Sequence, residues 1–217
     1  MIRSGSLVTV GNQYLAEYAE KAGATAIRII PTTIDLERYH TKSEYANESP
    51  VIGWIGTAST LKYLSLLKEE LRYLIDKYNV KIYIIGAKES LELGKNEYHI
   101  DWSLDTEVPS ILQFDIGIMP LANSPWAKGK CAYKLIQYMA CGIPVIASPV
   151  GMNSEVVSPG ANGYLAHDPT SWIEKLEILI QDQALRKKLG YQGRKDVEEK
   201  FTLQVNSAHY LSSVRAI

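Results

Sequence analysis

Residues 129 to 155 carry the residue types that chemistry on an anion would need. A loop at Gly129-Lys-Cys-Ala132 leads into a helix from Tyr133 to Ala140; Gly142 stops it, an apolar strand follows at Pro144 to Ala147, and a second glycine turn at Gly151 leads to Glu155. A helix start with free amides, here near Lys130, Cys131 and Ala132, favours a phosphate through its N–H groups and its dipole. Lys130 and Lys134 are four apart in the N-terminal half of that helix, where positive charge costs ~0.3–1 kcal/mol per group unless it has a partner. A phosphate would supply the partner; the alternative is a pair of solvated lysines. A second candidate lies upstream in Gly56-Thr57-Ala-Ser59-Thr60, a glycine turn whose hydroxyls suit both helix capping and phosphate donation, with Lys62 just beyond. Lys62 reads either as a diphosphate ligand or as an exposed helix lysine. Gly151 permits close backbone approach, and Glu155 serves equally as a site residue or a helix-start dipole partner. Of the aromatics, Trp126 is expected at the pocket mouth and Trp102 in the core.

These segments need a scaffold that brings loops together, and the order of elements supplies one. Short apolar runs alternate with amphipathic helices, which predicts an α/β fold with a doubly wound parallel sheet. Strands are expected at Val51 to Ile55, Lys81 to Ile85, Tyr98 to Asp101, Ile116 to Met119, Pro144 to Ala147 and Gly163 to Leu165. Helices are expected at Leu61 to Tyr78, Thr106 to Gln113 and Tyr133 to Ala140, and three more close the chain at Pro169 to Asp182, Gln183 to Phe201 and Leu203 to Val214. In such sheets ligands bind beyond the carboxyl ends of the strands, where both glycine turns fall. Residues 1–30 read separately, as a strand at Leu7 to Val10, a helix capped by Asn12 and stopped near Gly23, and a strand at Ala26 to Ile30. A single βα unit cannot form a domain, so it needs the main sheet or a further partner. The expected division is 1–30, a linker 31–50 with its most polar part at Lys42 to Pro50, a main domain 51–201 and a closing helix 202–217.

Bulk properties narrow the chemistry. The 217 residues carry a net charge of −1, so no general electrostatic drive toward nucleic acid exists and phosphate recognition must be local. Cys131 and Cys141 have no zinc-site spacing and are expected as reduced thiols, with no metal site. Neither a leader with an apolar core nor a membrane-length apolar run is seen, which leads to the expectation of a cytoplasmic protein with peripheral membrane contact left open.

Several of these segments resemble one family. Tyr138-Met-Ala-Cys-Gly-Ile-Pro-Val-Ile-Ala-Ser-Pro-Val-Gly151 through Glu155, then Gly160-Ala-Asn-Gly-Tyr-Leu165, is similar to the C-terminal domain of the glycosyl transferases group 1, retaining family four. Ile30-Pro-Thr-Thr-Ile-Asp35 resembles its interdomain linker, Ile52-Gly-Trp-Ile-Gly56 its first C-domain strand and glycine turn, and Phe114-Asp-Ile-Gly-Ile-Met-Pro120 the strand before its sugar-binding loop. The resemblance implies the Rossmann-like C-terminal half of a GT-B fold. It implies no separate cofactor, a nucleotide diphosphate sugar as donor, and a partner acceptor domain of which residues 1–30 are the last unit. It assigns Lys62 to the donor pyrophosphate and places the 151–155 loop beside the donor and Trp102 and Val108 in the nucleobase region.

Two departures bear on the chemistry. The family's two glutamates, eight apart, are replaced by Gly129 and Gln137, and the arginine of its glycine turn by Thr57. A neutral Gln137 can still hydrogen-bond ribose hydroxyls, without the increment a carboxylate gives. Lys134 and Lys62 are the expected catalytic cations, with Gly56, Thr57, Trp126, Gly129, Lys130, Cys131, Ala132, Gln137, Gly151 and Glu155 as the donor-binding set. A chain lacking its acceptor domain is expected to bind donor and transfer nothing. Two other readings stay open: a noncatalytic nucleotide-binding module, and a sugar-nucleotide epimerase, which the poverty of His near the motif disfavours.

Overall fold

The computed structural model describes residues 2–44 and 49–215. In chain order the named elements are β1 (Val8–Val10), α1 (Gln13–Lys21), β2 (Ile27–Ile29), β3 (Val51–Ile55), α2 (Ala58–Leu64), α3 (Lys68–Tyr78), β4 (Lys81–Ile85), β5 (Glu97–Ile100), α4 (Glu107–Ile111), β6 (Ile116–Met119), α5 (Pro125–Lys128), α6 (Tyr133–Ala140), β7 (Val145–Ala147), α7 (Asn153–Val156), β8 (Gly163–Leu165), α8 (Pro169–Gln181), α9 (Gln183–Lys200) and α10 (Leu203–Arg215). The middle of the expected linker, residues 45–48, lies outside the described residues.

Six strands form one parallel sheet in the order β5-β4-β3-β6-β7-β8. The chain winds outward from β3 in one direction and from β6 in the other, so a crevice opens between the carboxyl ends of those two strands. Their composition explains their central place. Every residue of β3, β6 and β7 is buried, as continuous apolar runs covered on both faces must be, whereas the edge strand β5 is partly exposed. Side chains alternate between two cores. Ile52, Trp54, Ile116, Ile118 and Ile146 pack with α2, α3 and α8, and Val51, Ile55, Met119, Val145 and Ala147 pack with α6 and α9.

The expected long helix from Leu61 to Tyr78 is divided. Thr57 initiates α2 three residues early, and Ser65–Leu67 form a 3₁₀ turn before α3. Ser65 Oγ donates to the Leu61 carbonyl at 3.1 Å, a local bond that bends a helix. The expected Thr106 to Gln113 helix is trimmed to α4, and the β5 strand starts one residue earlier than its apolar content suggested.

The N-terminal unit forms its own two-stranded parallel sheet, β1 with β2, crossed over by α1. Asn12 caps α1 by accepting from the Leu15 amide at 2.9 Å. Its Nδ2 donates to the carbonyls of Lys128 and Lys130 at 3.2 and 3.1 Å, which ties the unit to the main domain. Farther on, Ile34 exchanges backbone bonds with Phe201 and Leu203, so the linker is stitched to the last helices.

Candidate functional site

Tyr138 sets the position of α6. Its ring lies on Gly117 of β6 so closely that a side chain there would clash, and its hydroxyl accepts the Ile55 amide at 2.9 Å. That amide sits at the carboxyl end of β3, so α6 is pinned across the crevice between β3 and β6. Lys134, four residues earlier, is one helical turn toward the crevice. Its Nζ stands 4.1 Å from the centroid of the Trp54 ring. A Cβ on Gly56 would overlap Trp54 and come within 2.7 Å of Lys134 Nζ, so only glycine lets this ammonium reach the strand end.

Lys130 acts on Lys134 by its charge, and it shares a second ring with Lys62. Lys62 and Lys130 stand 5.5 and 5.8 Å from the centroid of the Tyr63 ring. None of Lys62, Lys130 and Lys134 pairs with a carboxylate among the described residues. Burial, with the Lys130 charge second, pushes the Lys134 ammonium down to about 7. The Trp54 face offsets part of that penalty, since a cation over an indole gains ~0.5–2 kcal/mol. Three lysines around two rings, none with a carboxylate partner and one pushed to give up its proton near neutrality, make a site that an anion would complete.

The backbone contributes donors to the same point. α6 begins at Tyr133, as the sequence suggested, but the free amides expected near Lys130 to Ala132 shift along the chain, since the Lys130 amide is already taken by the Ala127 carbonyl. The free donors are therefore the amides of Cys131, Ala132, Tyr133 and Lys134, for which no acceptor occurs among the described residues. Ala132 turns the chain into the helix with φ +53, a conformation that costs a non-glycine residue about 1–2 kcal/mol. Cys131 is held against Gly11, where a Cβ would overlap its sulfur. At the other side of the crevice Thr57, Ser59 and Thr60 cluster their hydroxyls: Thr57 Oγ1 is 2.9 Å from Ser59 Oγ, and Thr60 Oγ1 accepts the Thr57 amide at 3.1 Å.

The remaining expected residues are distributed around this centre. Gly129 and Trp126 line a groove of about 470 Å³ with Tyr14, Leu15, Tyr18, Pro125 and Lys130, and Trp126 is 76% exposed there. Gly151, at φ +55, abuts the Lys128 backbone so that a Cβ would stand 2.7 Å from its carbonyl oxygen. Glu155 is exposed on the four-residue α7. Trp102 is exposed rather than part of the core, and Val108 is buried.

Gln137 stands apart from the lysines. It is 2% exposed, and its Nε2 donates to the Tyr39 hydroxyl at 3.1 Å. Tyr39 in turn donates to Glu107 Oε1 at 2.9 Å, and Trp102 Nε1 donates to Glu107 Oε2 at 2.8 Å. Burial raises the Tyr39 hydroxyl well above its ordinary range, which keeps it protonated as that donor. This bond uses one of the two Nε2 hydrogens and fixes the direction of the amide, so the Tyr39 hydroxyl decides where the second hydrogen and Oε1 point.

Residues 35–196 match the family described as glycosyl transferases group 1. The chain belongs to that family. It is 29% identical over 180 residues to the capsular polysaccharide biosynthesis glycosyltransferase CapM of Staphylococcus aureus, covering 78% of this chain and 46% of CapM. It is 26% identical over 213 residues to the D-inositol 3-phosphate glycosyltransferase of Corynebacterium jeikeium, covering 85% and 51%. The chain thus spans about half the length of these relatives. Among solved structures, the sucrose-phosphate synthase of Thermosynechococcus elongatus superposes with a TM-score of 0.84 at 17% identity, over 99% of this chain and 59% of that one. Anabaena HepE, crystallised with UDP and glucose, gives 0.82 at 17% identity over 98% and 64%. These structures share the six-stranded, Rossmann-like half of the GT-B fold. Among the described residues no helix is long and apolar enough to cross a membrane.

The site residues that sequence reasoning missed are Trp54, Tyr63, Asn12, Tyr39 and Glu107. Trp54 adjoins Gly56 and Tyr63 adjoins Lys62, so the sequence signal was an aromatic beside each candidate residue. Both aromatics read equally well as core, and both are in fact buried.

Proposed function

We propose that this chain is the donor-binding half of a glycosyltransferase and holds a nucleotide diphosphate sugar by its diphosphate at the crevice between β3 and β6. The carrying observation is that Lys130 and Lys134, neither paired with a carboxylate, stand with the four free amides of residues 131–134 at the switch point of the sheet, with Lys62 across the Tyr63 ring from Lys130's charge. Negative charge develops on the diphosphate as the bond to the sugar breaks, and preorganised cations and amides that meet that charge in a partly dry site stabilise it. Lys134 faces the leaving group from the Trp54 side, and Lys62 and Lys130 from the Tyr63 side. The UDP and glucose in the HepE crystal support the ligand class. Retention of configuration rests on the family-four resemblance, and no metal is needed if Lys62, Lys134 and the helix amides carry the charge of the leaving diphosphate. The acceptor and part of the catalytic apparatus belong to a second domain.

A thermal-shift panel of UDP, GDP, ADP and their sugars tests the reading. A ligand at a hundred times its dissociation constant is expected to stabilise the chain by ~2.7 kcal/mol. The chain alone is expected to transfer no sugar. A flat panel argues against a donor site, and robust transfer by the isolated chain places the acceptor machinery within residues 1–217.

A further inference from the structure

Beside the crevice lies a cluster that donor binding does not use. His99 of β5 has Nδ1 2.7 Å from the Ala87 carbonyl and Nε2 2.7 Å from Glu97 Oε1. Both partners are acceptors. A neutral imidazole has a single N–H, so one of these contacts would set a lone pair against a lone pair, whereas the imidazolium donates to both. Glu97, with its side chain 3% exposed, also accepts the amides of Leu91 and Leu93 at 2.8 Å each. His99 and Glu97 together bind the loop 86–93 to β5 near its beginning and its end.

The loop is coupled to the crevice at Gly86. This residue has φ +85, and a Cβ on it would stand 2.5 Å from the Gly56 carbonyl oxygen, so the first turn of the loop is the support of the Gly56 turn. The charged groups around His99 are Glu97 on its own strand and Glu89 on the loop, both of which favour the imidazolium. Lys88 pairs with Asp101 at 3.1 Å. From α3, Lys68 pairs with Glu92 at 2.6 Å and Arg72 Nη2 donates to the Glu92 carbonyl at 3.2 Å, holding the outer side of the loop independently of His99.

We propose that His99 is a proton-operated clamp, which as imidazolium fastens the loop 86–93 to β5 beneath the Gly56 turn and on losing its proton releases one of its two partners. Burial lowers the His99 pKa, but the Ala87 carbonyl and the Glu97 carboxylate outweigh it and the net shift is upward. With the folded value above the unfolded one, the clamp contributes fully below the ordinary histidine value and is lost as pH rises through the folded value. Loosening the loop slackens one wall of the crevice; the bearing of this on a nucleotide rests on the donor-site reading.

Imidazole nitrogen–proton correlation spectra of the whole chain report the ring, and amide exchange reports the loop. The His99 ring is expected to titrate above its ordinary value with both nitrogens protonated below the midpoint. The protection of Leu91 and Leu93, corrected for the intrinsic exchange rate, is expected to fall several-fold across that midpoint, and His99→Gln is expected to abolish this pH response. A ring that titrates at or below the ordinary value overturns the clamp without recourse to any variant. So does protection that stays level with pH, or that falls equally in His99→Gln. UDP and GDP binding are measured in the same samples: a loop that responds as expected while neither nucleotide binds upholds the clamp and removes the donor site.

Discussion

At Lys134 a single side chain carries a conflict between stability and ligand. Its ammonium is held down to about 7 by burial and by Lys130, so between that value and the ordinary lysine range the unfolded chain binds a proton that the folded chain has lost. Stability of the unliganded fold is therefore expected to rise with pH through that window, opposite in sign to the His99 contribution. Lys134→Met is expected to stabilise the unliganded chain by on the order of 1 kcal/mol at neutral pH and below, to flatten the rise, and to weaken diphosphate binding. Urea denaturation at pH 6 and pH 9 measures this; a destabilised variant would mean that the contact with Trp54 outweighs the cost of burial. Gln137 poses the reverse case. The Tyr39 hydroxyl has one proton, already given to Glu107, and accepts from Gln137. Gln137→Glu, which restores the family's carboxylate, would place a second acceptor there with no donor. It is expected to cost about 1–3 kcal/mol at pH 8 and less in acid, where protonation supplies the missing donor. An unchanged urea midpoint at pH 8 would show that Tyr39 and Glu107 rearrange freely. The sequence showed which residue types could bind an anion here, yet gave no sign that Gln137 faces a linker tyrosine 98 positions away. Such a contact depends on how the linker folds back, which no local pattern encodes.

At the scale of elements, the turn into α6 concentrates the site's strain. Ala132 is fully buried and left-handed, at the point where the chain leaves the α5 turn and presents its free amides. Ala132→Gly is expected to lie between neutral and about 1 kcal/mol more stable, because relief of the left-handed backbone is offset by greater unfolded-state freedom and a lost methyl contact. Ala132→Val is expected to cost more than about 2 kcal/mol, since branching worsens the backbone and overpacks the core. Thermal unfolding distinguishes them, and equal effects would contradict a strained turn. The central strands were legible because burial on both faces leaves an uninterrupted apolar run. The bounds of α6 were legible too, but its free amides were placed one residue early, because Pro125–Lys128 form a separate short helix whose last turn consumes the Lys130 amide. The break at Ser65–Leu67 was hidden because leucines on both sides keep helical spacing while Ser65 bonds backward.

Across the whole molecule, a net charge of −1 coexists with three lysines that lack a carboxylate partner, so the proposed anion site would owe its place to the fold and not to bulk charge. The order of strands and glycine turns was readable from sequence, and with it the edge of the sheet at which a ligand would sit. What sequence could not give was that Lys62 of α2 and Lys130 of the loop before α6 share the Tyr63 ring while Lys134 stands over Trp54, an arrangement that depends on α6 crossing β3, where Tyr138 bonds the Ile55 amide. The most direct test of that arrangement is calorimetry of a nucleoside diphosphate and its parent nucleoside, uridine or guanosine, with the native chain and with Lys134→Ala. The diphosphate is expected to bind more tightly than the nucleoside, and the substitution to weaken the diphosphate by tenfold or more, about 1.4 kcal/mol, while leaving the nucleoside nearly unchanged. Equal losses for both ligands, or no preference for the diphosphate in the native chain, would contradict a diphosphate site at the β3–β6 crevice.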